Sequence, residues 1–200
     1  MKTIAWDCDD VLNDLMKDWS MYWRLSRGVI LDYSEIVENP PHNVLGVSKE
    51  DYLFSLDKFR MTRYHKLLPN LQVLDWFKEK GHLYHHIVLT SVPIHCAEIS
   101  AKWVLHNFGE WIRSFNFIPS YREQCSNIPI YHKSKNEWLR KNKENVDIFI
   151  EDNTKNWRDS VDLGIESYLV KQPWNEGVDI KEILEGIYHG RKNLYCRNNF

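Results

Sequence analysis

The sequence predicts an α/β fold: a Rossmann-like parallel sheet flanked by helices, with a small helical cap inserted after the first strand. Three observations predict it. Short apolar runs suited to buried strands alternate with segments of helical periodicity, the pattern of a parallel sheet covered on both faces. Two of those runs, "TIAWD" and "DIFIED", end in carboxylates. The alternation breaks once, between 15 and 68, where helical patterning continues without a strand of comparable quality.

Taken in order, 3–6 reads as a short buried strand ending at Asp7. From Leu12 onward Leu15, Met16, Trp19, Tyr22 and Trp23 share a helical face, and Gly28 is the stop. "ENPPHN" at 38–43 is a loop because Pro40 and Pro41 break regular structure. Ser48, with Asp51 three residues on, caps a helix through about Phe59. Pro69 opens a helix carrying Leu71, Leu74 and Phe77 and ending at Gly81. A strand at 86–91 follows, then an amphipathic helix from Ile94 to Phe108 closed by Gly109. The remaining expectations are a strand at 115–119, a helix at 133–142, a strand at 147–152, a helix at 154–163 stopped by Gly164, a strand at 166–170 and a helix at 179–188. The domain reading is a core of 1–14 and 69–200 with a cap of 15–68.

The 200 residues suffice for a substantial core without disulfide or metal staples. A hydrophobic share of 43% with 27% charged residues is a soluble globular mixture, and a net charge of −2 argues against extended nucleic-acid or membrane-surface binding. Cys8, Cys96, Cys125 and Cys196 form no C-x-x-C pair and read as reduced thiols. With no signal peptide and no run near ~18 apolar residues, the expectation is a cytoplasmic monomer or homodimer.

Ligands of an open parallel sheet bind beyond the carboxyl ends of its strands. Four features would meet there: Asp7, Asp9 and Asp10 after the first strand; Thr90 and Ser91 after the second; Lys133 and Lys135 at the start of a helix; and Glu151 with Asp152 after a later strand. Hard carboxylate oxygens suit Mg²⁺, which would neutralise the cluster and admit a phosphate dianion. Hydroxyls bind phosphoryl oxygens, a lysine offsets developing charge, and aspartate serves as a phosphoryl acceptor.

The four features in this order resemble the four motifs of the haloacid dehalogenase superfamily of phosphatases, across essentially the whole chain. Within it, "DCDDVLND", "LLPNLQVLDWFKEKGHLYHHIVLTSVP", "KWVLHNFG" and "VDIFIEDN" resemble the 5'(3')-deoxyribonucleotidases. The resemblance implies Asp7 as nucleophile and metal ligand. It implies Asp9 as general acid/base with its carbonyl on the metal, and Thr90 and Lys133 on the phosphoryl group. Asp152 would sit on Mg²⁺, with Glu151 acting through a water. Lys133 is preferred over Lys135 because its distance to Leu139 fits the family spacing. Asp10 stands where the deoxyribonucleotidases usually carry Gly and other phosphatases of the superfamily a second Asp, and Leu15 where the deoxyribonucleotidases tend to place an aromatic.

The implied substrate is a small phosphate ester, a nucleoside monophosphate first and a sugar phosphate second. Trp19, Tyr22, Trp23, Arg60, Arg63, Tyr64 and His65 are candidate cap contacts. The Trp19, Tyr22 and Trp23 stripe reads first as cap core. His82, His85 and His86 lack a matching ligand pattern for zinc and read as surface or strand-entry residues; the basic tail from Gly190 reads as solvated. A receiver-type phosphoacceptor would lack the acidic pair at 151 and 152. A dehalogenase would not need metal ligands at Asp9 and Asp152, and a silent binding protein would have lost a motif.

Overall fold

A computed structural model describes residues 1–28, 32–120 and 129–190. Five parallel strands form one sheet: β1 (Thr3–Trp6), β2 (His85–Val92), β3 (Ile112–Pro119), β4 (Ile148–Glu151) and β5 (Glu166–Leu169), in the spatial order β3-β2-β1-β4-β5. The expected strands therefore all form, in a single α/β layer structure.

Successive strand residues enter different cores. Ile4, Trp6, Val88, Ile148 and Ile150 pack on one face with α3 (Leu71–Lys80), α4 (Ile94–Phe108) and α7 (Ile180–Tyr188). Ala5, Leu89 and Phe149 pack on the other with Leu139 of α5 (Lys135–Lys141) and with Ile165, beyond the end of α6 (Thr154–Asp162). Burial on both faces is why these strands read as apolar runs without polar alternation. β3 starts three residues before the apolar run suggests, because on this sheet edge it first pairs with β2 through Ile112 and Ser114, with Arg113 at a register shift between them.

The interval between β1 and α3 holds two long helices, α1 (Leu15–Arg27) and α2 (Lys49–Arg63). Trp19 and Trp23 of α1 are buried with Tyr52 and Phe59 of α2, and the Trp19 ring meets Tyr52 edge-on at 5.2 Å. The aromatic stripe is thus helix-pair core. Gly28 closes α1 at φ +69°, a backbone state that suits glycine.

Two local expectations are corrected. α1 begins at Leu15 rather than Leu12, because 8–14 form a turn in which Leu12 N–H donates to the Cys8 carbonyl and Asp10 sits at φ +62°. His86 stands at the entry of β2, as one of its two readings has it, but is buried rather than on the surface: Trp6 Nε1–H donates to its Nδ1 at 3.1 Å, and its Nε2–H donates to the Gly81 carbonyl at 2.8 Å. His82 and His85 are exposed, as expected. Burial pushes His86 down to about 4, so the ring is neutral near pH 7. Cys8 and Cys96 are buried; Cys125, Cys196 and the tail after Gly190 lie outside the described residues. Among the described residues no helix is long and apolar enough to cross a membrane.

Candidate active site

The carboxyl end of β1 delivers Asp7, whose N–H donates to the Ile150 carbonyl at 2.9 Å and so extends the β1–β4 ladder by one step. The next residues turn away tightly. Asp10 takes its positive φ with its N–H on Asn13 Oδ1, its Oδ1 accepting from Met16 N–H at 2.8 Å, and its carbonyl accepting from Gln172 Nε2–H at 2.7 Å. Asp is among the few side chains that tolerate this backbone region, and here its carboxylate also satisfies an orphan donor at the start of α1. Asp10 is therefore a turn and cap residue, which accounts for an acidic side chain in a position that otherwise suits glycine.

β4 ends in Glu151 and Asp152, with Asn153 capping α6 through the N–H groups of Lys155 and Asn156. Carboxylate oxygens of Asp7, Glu151 and Asp152 all lie within 4.8 Å of one another, and all three residues are buried. Lys135 Nζ stands between two of them, 2.7 Å from Asp7 Oδ2 and 2.7 Å from Glu151 Oε2, itself only 2% exposed. Asn153 N–H supports Glu151 Oε1, and Trp174 Nε1–H donates to Asp152 Oδ2 at 3.2 Å.

The preference for Lys133 is corrected by this geometry. Ser134 is the N-cap of α5, its hydroxyl accepting from Glu137 N–H, so Lys135 is the first helical residue and points inward. Lys133 precedes the cap, is exposed, and donates its N–H to the Glu137 carboxylate at 2.8 Å.

Three carboxylates facing one ammonium leave a formal excess of two negative charges in a buried space. Burial, then Glu151, push Asp7 up to about 7 against the pull of Lys135. Burial followed by Glu151 and Asp7 holds Asp152 well above the ordinary carboxylate range. Burial works most strongly against the charge on Glu151, but Lys135 together with hydrogen bonds from Asp7 and the Asn153 N–H outweighs it and keeps that carboxylate below its usual value. Burial opposes the charge on Lys135 too, and Asp7 with Glu151 more than restore it. The donor set of three hard oxygens with a deficit of two positive charges fits a divalent cation of the Mg²⁺ kind.

A pocket of about 300 Å³ opens onto this cluster. Thr90, buried, and Ser91, exposed, line it near the carboxyl end of β2. α2 supplies the facing wall with Lys49, Tyr52, Leu53, Leu56 and Arg60, residues spaced along one helical face. Arg63 and His65 are exposed and line no part of this pocket. Asp9 is not in the three-carboxylate group; its side chain turns to α2, accepting from Arg60 Nη2–H at 2.8 Å and from Tyr64 O–H at 2.5 Å.

Sequence reasoning missed the loop after β5. Gln172, Trp174 and Asn175 steady Asp10 and Asp152 from that loop, Asn175 Nδ2–H donating to the Asp152 carbonyl at 2.7 Å. "QPWN" after a strand end was the available signal, since it is a polar, proline-bearing turn on the ligand side of the sheet.

No family model and no curated protein sequence matches the chain. Solved structures do. A haloacid dehalogenase-like family hydrolase from Streptococcus pneumoniae superposes with a TM-score of 0.61 at 13% identity, over 96% of this chain and 99% of its own. The HAD-hydrolase YfnB from Bacillus subtilis, solved bound to magnesium, gives 0.58 at 12% identity, over 94% and 97%. A protein from Thermotoga maritima described as a beta-phosphoglucomutase gives 0.52 at 17% identity, over 94% and 99%. At these identities the likeness establishes a shared haloacid dehalogenase-like fold over nearly the whole chain.

Proposed function

We propose that the protein is a Mg²⁺-dependent phosphomonoester hydrolase that works through an aspartyl-phosphate on Asp7. The observation that carries this is the convergence of Asp7, Glu151 and Asp152 within 4.8 Å around Lys135, at the mouth of a pocket that also contains Thr90. The magnesium bound by the Bacillus subtilis neighbour supports the same choice of metal.

Asp7 and Asp152 would hold the ion, with the Asp9 carbonyl and, through water, Glu151. When bound, Mg²⁺ supplies the positive charge that lets a phosphate dianion approach these carboxylates. Lys135 pulls Asp7 toward its ionised form and holds it in place, and Thr90 and Ser91 offer hydroxyl donors to the phosphoryl oxygens. An Asp7 carboxylate oxygen attacks phosphorus in line; the ester P–O bond breaks, and Asp9 gives its proton to the departing alkoxide. Asp9 then takes a proton from the water that attacks the aspartyl-phosphate, releasing inorganic phosphate and restoring Asp7.

Residues 15–68 act as the cap, since α2 forms the wall opposite the carboxylates. Tyr52, Leu53 and Leu56 give that wall an apolar, partly aromatic surface suited to a nucleobase, so a nucleoside monophosphate is the leading substrate. A sugar phosphate is the second reading, favoured by the neighbour described as a beta-phosphoglucomutase. Phosphate release across nucleotides and sugar phosphates, with and without Mg²⁺ and beside Asp7→Asn, tests the reading. Metal-dependent release that disappears in Asp7→Asn is expected; metal-independent release, or an active Asp7→Asn, overturns it.

A further inference from the structure

Each oxygen of the Asp9 carboxylate has its own donor from the segment after α1. Oδ2 accepts from Arg60 Nη2–H at 2.8 Å, and Oδ1 accepts from Tyr64 O–H at 2.5 Å and more weakly from Asn13 Nδ2–H at 3.4 Å. Asn13 Nδ2–H also donates to the Tyr64 hydroxyl at 3.1 Å, which orients that hydroxyl's own proton toward Asp9. Arg60 is braced from behind: its Nη1 lies 3.6 Å from Asp57 Oδ1, and Asp57 Oδ2 lies 3.5 Å from His95 Nε2 at the start of α4. Both Arg60 and Tyr64 are buried, and Arg60 lines the pocket together with Asp7 and Asp9. A buried guanidinium is retained at a cost unless its geometry is used. Here it holds a carboxylate that would otherwise be free to join the Asp7, Glu151 and Asp152 group.

We propose that Arg60 and Tyr64 are positioning residues that fix Asp9 for proton transfer to the leaving group. The inference rests on the proposed acid/base role of Asp9. In an in-line displacement the attacking and leaving oxygens stand on opposite sides of phosphorus, so the proton donor has to stand away from the nucleophile. Drawing Asp9 against the α2 wall of the pocket does this; folding it onto Asp152 would not. Each carboxylate oxygen has more than one lone pair, so an oxygen held by Arg60 or Tyr64 keeps a site for the transferred proton. Arg60 and Tyr64 themselves gain and lose no proton in either half of the reaction.

The test compares two esters in Mg²⁺ with wild type, Arg60→Met, Arg60→Lys and Tyr64→Phe. A nucleoside 5'-monophosphate has an alkoxide leaving group that needs a proton; p-nitrophenyl phosphate has one that departs without it. In Arg60→Met, the single-turnover rate of nucleoside release from the nucleotide falls at least about tenfold while the burst rate of nitrophenolate release from the aryl ester and both KM values stay within about threefold, since only this first step involves the leaving group, and Arg60→Lys recovers part of the loss. Tyr64→Phe shows the same asymmetry more weakly and carries the test if Arg60→Met does not fold. Equal losses on both esters, or a loss confined to KM, overturn the positioning role while leaving the phosphatase reading intact. A wild type that releases phosphate from neither ester overturns that reading and this inference with it.

Discussion

The ammonium of Lys135 lies 2.7 Å from an Asp7 carboxylate oxygen, inside the fold and at the end of the central strand. The same nitrogen reaches Glu151, so one helix start, one strand end and a second strand end are tied at a single atom.

Removing that nitrogen strands two buried carboxylates. Lys135→Ala is expected to lower stability by about 3–5 kcal/mol, the range for breaking a buried ion pair from one side. Lys133→Ala, at an exposed position before the helix cap, is expected to stay within about 0.5 kcal/mol of wild type. Urea unfolding of the two variants separates them, and equal effects would contradict the assignment of the buried lysine.

The charge excess predicts that metal binding and neutralisation each stabilise the fold. Mg²⁺ at about one hundred times its dissociation constant is expected to stabilise the protein by about 2.7 kcal/mol. Asp152→Asn removes one of three crowded carboxylates and leaves an acceptor for Trp174. It is therefore expected to raise the melting temperature without metal and to abolish the Mg²⁺ shift. A variant that melts lower in EDTA and still responds to Mg²⁺ would contradict the site.

His86 predicts a pH dependence of stability. Its folded value, about 4, lies below the ordinary 6.5, so between those values the unfolded chain binds more protons than the native one. Its contribution is fully present above about pH 6.5, declines as pH falls toward 4, and levels off below. The full effect is on the order of 3 kcal/mol. Unfolding midpoints of wild type and His86→Gln compared between pH 7 and pH 4 should converge on acidification; parallel curves would contradict a buried neutral imidazole.

Asp10 combines a positive φ with a cap on Met16 N–H. Asp10→Gly relieves the backbone but loses the cap, for a net loss on the order of 1 kcal/mol, whereas Asp10→Val loses the cap and adds strain. Thermal unfolding should rank them wild type, Gly, Val.

β1 and β4 were legible because both sheet faces are buried there, so each appeared as an apolar run: Ile4 and Trp6 face one core, Ala5 the other. Helix ends were legible where a cap was local, as with Ser48 and Gly28. The approximate site was legible because strand ends in a parallel sheet converge. Its wiring was not. Choosing Lys135 required weighting the Ser134–Glu137 cap signal over spacing. The burial of His86 depends on Trp6, 80 residues away in sequence, and the support of Asp152 comes from Trp174 through a loop with no periodicity. Arg60 and Tyr64 were visible as candidate contacts, but their shared partner Asp9 is a tertiary fact.

The central claim is most directly tested on Asp7 itself. Protein incubated with Mg²⁺ and a nucleoside monophosphate, quenched in acid and digested, should carry a hydroxylamine-labile phosphoryl group on the peptide containing Asp7, missing in Asp7→Asn. Phosphate turnover with that peptide unlabelled at every quench time, or with the label on another residue, would contradict it.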